Sequence, residues 1–171
     1  MTELLHAWAL APAAIGTCCL AADRRRVRAP ELAASLLMLV AMTDAAFSGV
    51  VAPVYWAILL LVTAMALAAL RGTRRRTAPH ADTAMTVHSG AGLVVMAALL
   101  VGMAAGHSAG SATGHAHGAS ASALVAFLVA GVAAYAAASV AAAAHSRRWL
   151  DGAQYVGMGA STVVMGVAAL L

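Results

Sequence analysis

RGTRRRTAPHADTAMTVHSGAGLVVMAALLVGMAAG, residues 71–106, decides the fold. Arg71, Arg74, Arg75 and Arg76 close one apolar run, and Pro79, His80 and Asp82 make a short polar connector. From Ala84 to Ala105 no Asp, Glu, Lys or Arg then interrupts the next run. At about 1.5 Å per residue such a run crosses a hydrocarbon core of about 30 Å, so it reads as a transmembrane helix.

The same unit repeats on both sides. Apolar spans are expected at about 4–22, 31–50, 53–70, 84–105, 122–144 and 154–171. With 63% hydrophobic and 9% charged residues, the 171-residue chain carries more apolar surface than one soluble core could hide. Its mean hydropathy of +0.89 agrees. The expectation is an all-α polytopic membrane protein: a single domain over 1–171, a six-transmembrane-helix bundle arranged as three αα-hairpins. Met38 lies twelve residues past Arg26 and His88 twelve past Arg76, the strongest trace of an internal repeat.

Net charge is +4, and all ten cations are arginine. They fall after spans one (Arg24, Arg25, Arg26, Arg28), three (Arg71, Arg74, Arg75, Arg76) and five (Arg147, Arg148), and none follows span two or four. They therefore read as topology signals and lipid-headgroup contacts, which excludes a nucleic-acid function. Under the positive-inside rule the arginine loops face the cytoplasm of a plasma-membrane protein, with both termini outside. Glu3 before the first span and the arginines after it fit an uncleaved anchor rather than a secretory signal. Small residues should carry the packing: Gly131, Tyr135 and Ser139 on span five, Gly159 and Gly166 on span six.

Methionine and histidine placement is the main chemical signal. Spans two, four and six hold Met38, Met42, Met85, Met96, Met103, Met158 and Met165. Met85, Met96 and Met103 fall within about 20° of one another on a helix, with Gly92 on the same stripe. Thioether sulfur selects soft ions such as Cu(I), although methionine is also an ordinary core filler. The low-complexity loop after span four carries His115 and His117, with His107 at its start, and neutral imidazole there could capture a metal outside the membrane. His6 would add a fourth nitrogen. His88 and Asp44 are ionisable groups inside spans, each a candidate site on that ground. The structural alternative for Asp44 is a carboxyl bonded to a neighbour such as Ser48, one turn on. Cys18 and Cys19 are adjacent and bridge badly, so they read as core residues before metal ligands. There is no Ser/His/Asp triad, phosphate loop, HExxH or Cys-x-x-Cys pattern, and no enzymatic activity is expected.

Three stretches carry a resemblance to a known family: Pro30-Glu31 through Met38 and Met42, Asp82 through His88 and Met96, and Gln154 through Met158 and Met165. In them the chain is similar to small actinomycete integral membrane proteins grouped as a domain of unknown function, with His and Met at helical spacing after arginine-rich loops. That resemblance implies the membrane fold and no particular activity. This chain has no histidine in spans two and six, where a shared metal site would want one.

Three functions follow as expectations. The first is a membrane protein that binds or passes copper, with His107, His115 and His117 as outer ligands and His88, Met96 and Met103 within the bilayer. The second is a ligand-free scaffold or accessory subunit, packed on a membrane partner or a second copy of itself. The third is a b-type haem protein with His88 and His145 as axial ligands.

Overall fold

The computed structural model describes residues 2–22, 29–74, 80–109 and 118–170, with side chains over 7–22, 29–72, 84–104 and 122–170. Helix α1 spans Thr2–Ala22, and α2 (Ala29–Thr43) continues into a π-helical turn, Asp44–Ser48. Then come α3 (Pro53–Arg74), α4 (His80–Ala109), α5 (Gly118–His145) and α6 (Trp149–Leu170). No strand occurs among the described residues. Ala29–Ser48, Pro53–Gly72, Ala84–Ala104, Ser122–His145 and Trp149–Leu170 are each long and apolar enough to cross a membrane. Helix α1, apolar over Ala7–Ala22, is the sixth member of this all-α membrane bundle.

Side-chain placement fits a lipid solvent. Large apolar residues face outward, among them Met65 and Phe127, each 72% exposed, while Glu31, Ser89, Gln154, Ser161 and Thr162 are buried inside. Burying apolar surface from water cannot hold such helices together, so close contact and internal hydrogen bonds must. Several hydroxyls on the spans bond within their own helices: Thr17 donates to the Ala13 carbonyl at 2.9 Å and Ser139 to that of Tyr135 at 2.8 Å.

Buried residues come chiefly from α2, α4 and α6, while α3 and α5 lie on the periphery. Helix α3 packs along α4 and α5 along α6, as two of the expected hairpins. The third differs, because α1 lies mainly along α6 and touches α2 less. The reason is backbone proximity. A Cβ at Gly157 would stand 2.6 Å from the Pro12 carbonyl oxygen and 3.2 Å from Gly16 Cα, so only glycine permits this crossing. On the other side of α6, Gly159 seats Ser139 and Gly166 seats Val132, as the small-residue seam predicts. Gly131 does not join it: a Cβ there would meet nothing within 4 Å.

Several boundaries move outward from the expected spans. Helix α4 runs on to Ala109, so His107 sits in the helix and not in the loop after it. Helix α6 starts at Trp149, five residues before the expected span. The second span ends in a π-turn closed by Gly49, whose φ of 56° is in the left-handed region that glycine enters without strain. The amide of Gly49 donates to the Asp44 carbonyl at 2.7 Å.

The ends of α1, α3 and α5 and the starts of α2, α4 and α6 share one side of the bundle, the arginine side, named for the arginines in the sequence at and between those ends. Contacts fix this polarity: Glu31 near the start of α2 meets Thr86 near the start of α4, and His88 meets Tyr155 near the start of α6.

Candidate functional site

Helix α4 presents two chemically distinct faces in its arginine-side half. His88 and Gly92, four residues apart, share the face toward α5 and α6. The His88 ring, 7% exposed, lies 4.7 Å from the Tyr135 ring, stacked at 20°, and 4.7 Å from the Tyr155 ring, edge-on at 89°. The Tyr135 hydroxyl is 3.0 Å from His88 Nε2, and the imidazole tautomer sets which of the two donates. Gly92 makes the room. A Cβ there would stand 2.6 Å from the Tyr135 hydroxyl and 3.6 Å from the Met158 Cε methyl. Tyr135 therefore packs against the Gly92 backbone, with Met158 beside it, one turn from His88.

A second face carries Thr86, which meets α2, and the buried Ser89 one turn on. Thr86 Oγ1 donates to Glu31 Oε1 at 2.7 Å, and the carboxylate is only 4% exposed. Among the described residues, Glu31 Oε2, Ser35 Oγ, Ser89 Oγ and Gln154 Nε2 are buried without a hydrogen-bond partner. In a low-dielectric interior such groups are costly unless water or an ion joins them.

Beyond the polar residues the interior turns to sulfur. Met38 and Met42 on α2, Met96 on α4, and Met158 and Met165 on α6 are all buried in one core, and Met103 packs against it. Six of the nine methionines therefore converge from three helices. Met85, the first member of the expected stripe, is only half-buried and stands apart from that core.

The other expected site residues fare differently. His115 and His117 lie outside the described residues, and of His107 and His6 only the helical backbone is described. No group of three or more His, Cys, Asp or Glu that could hold a metal occurs among the described residues. Cys18 is exposed and Cys19 half-buried on α1, so the pair does not sit in the core as expected. His145, exposed at the end of α5, has Nδ1 2.8 Å from the Ala141 carbonyl. It lies ten residues, about 15 Å along the helix, from the tyrosine that stacks on His88, so the two histidines do not face one haem.

Asp44 is a corner brace. Its carboxylate accepts from Val50 N at 3.1 Å, Val51 N at 3.2 Å and Trp56 Nε1 at 2.7 Å, and so ties the end of α2 to the start of α3. The expected partner, Ser48, is not among these acceptor contacts. The π-turn and Gly49 bend the chain back over the carboxylate, which simple helical spacing does not anticipate.

Sequence reasoning missed Glu31, Ser35, Thr86, Ser89 and Tyr155. A signal was present: Glu31, Ser35, Met38 and Met42 follow a 4-3-4 spacing that marks one helix face, and all four are buried. Reading Glu31 as the opening residue of a span concealed it.

A comparison with known proteins finds no matching family, no curated relative and no matching solved structure.

Proposed function

We propose that the protein is a multi-pass plasma-membrane protein that holds a soft transition metal, Cu(I), in its interior, with the arginine ends in the cytoplasm and residues 1 and 171 outside. The observation that carries this reading is the convergence of six methionines from α2, α4 and α6 on one core, with Met158 beside Gly92, one turn from His88 on α4. Thioether sulfur and neutral imidazole together suit Cu(I) and reject hard cations. In this reading Met158, Met96 and Met103 supply sulfur and His88 an imidazole nitrogen. His107, His115 and His117 serve as the outer capture site in this reading.

Elemental analysis of protein purified without an affinity His-tag tests it: copper should co-purify in about equal amount. Titration with Cu(I) should then weaken in Met158→Leu and Met96→Leu, which conserve volume and so cost under about 1.5 kcal/mol of stability. Copper-free protein that fails to take up Cu(I) sinks the metal reading.

A scaffold or accessory role is the second reading, and the His88–Tyr135 contact favours it. A histidine stacked and hydrogen-bonded by tyrosines is what a purely structural core requires. Under it, His88→Ala lowers thermal stability and changes no metal affinity.

A further inference from the structure

Between α3 and α4, on the surface that faces lipid, runs a groove of about 520 Å³. Leu61 and Ala68 line it from α3, and Gly90 and Val94 from α4, with Arg71 and Thr86 at its arginine-side end. Gly90 leaves its floor open: a Cβ there would meet nothing within 4 Å.

The groove has the dimensions and polarity of one lipid leaflet. From Leu61 to Arg71 is ten residues, about 15 Å of helix, which is half of a hydrocarbon core of about 30 Å. Its walls are apolar throughout that length. At its end the Nε of Arg71 is buried without a hydrogen-bond partner among the described residues. Arg74, Arg75 and Arg76 follow Arg71 in sequence. A guanidinium suits a phosphate oxygen pair better than any other common headgroup.

We propose that this groove is a binding site for an anionic phospholipid of the arginine-side leaflet, one acyl chain lying between α3 and α4 and the phosphate on Arg71. The inference rests on the membrane placement of the bundle and not on the metal reading. It also gives Thr86 a double position: the residue lines the groove and holds Glu31, so an occupied groove seals the buried carboxylate from the lipid side.

Native mass spectrometry of the full chain, released from nanodiscs containing equal phosphatidylglycerol and phosphatidylcholine, tests the site. Phosphatidylglycerol should be retained in preference by roughly five- to tenfold. Arg71→Gln should erase that preference while lipid is still retained. Gly90→Leu, which fills the floor, should reduce retention of both lipids, and Gly131→Leu on the open side of α5 should not. If Gly90→Leu does not fold, Val94→Trp at the rim fills the same space from an exposed position. Equal retention of the two lipids by the wild type overturns the proposal. So does an anionic preference that survives Arg71→Gln, a groove-filling variant that retains lipid normally, or displacement of the lipid by inorganic phosphate alone.

Discussion

Two carboxylates, Glu31 and Asp44, carry opposite roles because their surroundings differ. Asp44 receives three N–H donors on two oxygens, so every lone pair in use is committed to holding the α2–α3 corner. An asparagine there offers one acceptor oxygen and turns its NH2 toward a donor. Asp44→Asn should therefore lower the melting temperature almost as far as Asp44→Ala, and a thermal scan in detergent checks this. A variant that melts like wild type would detach Asp44 from the fold. Glu31 is different, since one oxygen takes the Thr86 hydroxyl and the other is unclaimed among the described residues. Glu31→Gln keeps an acceptor for Thr86 and should be tolerated, whereas Glu31→Leu should cost about 0.5–2 kcal/mol, read as the difference in unfolding free energy between the two variants. Asp44 was legible in the sequence because it interrupts an apolar run. Its partners were not, because they come from a π-turn and from a tryptophan beyond it. Glu31 was hidden by its place three residues from an arginine loop, where a charge looks solvated.

Helix packing turns on which glycines meet backbone. Gly157 meets the Pro12 carbonyl at a distance no Cβ tolerates, and neither atom belongs to a side chain that could swing away. Gly157→Ala should push α1 from α6 and lower stability sharply. Gly16 has 3.5 Å to the nearest backbone atom, so Gly16→Ala should fit with little change. Gly131→Ala, in open space on α5, should instead stabilise by up to about 1 kcal/mol through helix propensity. Melting temperatures of the three variants give the test, and equal effects would refute a glycine-mediated α1–α6 crossing. Gly159 and Gly166 were readable from their seven-residue spacing, which stacks them on one face. The Gly16–Gly157 contact was not, because spacing within one helix says nothing about which distant helix meets it.

For the whole molecule, the alternation of arginine loops made the number and direction of the helices readable, because charge in a bilayer is penalised wherever it lies. What it could not convey is which helices sit inside. The methionine-bearing spans two, four and six do, since Met38, Met96 and Met165 fill the interior. The polarity of the bundle makes the last prediction. Glu31, Thr86, His88 and Tyr155 all lie in the arginine-side half, and Asp44 with Trp56 lies at the opposite edge. If that half faces the cytoplasm, a reporter inserted after Arg75 is active only inside the cell, and reporters at Gly110 or after Leu171 only outside. Moving charge should move the fusions: replacing Arg74, Arg75 and Arg76 with Gln weakens the signal on one connection but leaves seven arginines on the same side, so orientation should hold. Adding three arginines near Gly110 opposes the remaining bias directly and should yield mixed insertion. Cytoplasmic activity at Gly110 in the unaltered chain would invert the membrane placement, and with it the leaflet from which the α3–α4 groove draws its lipid.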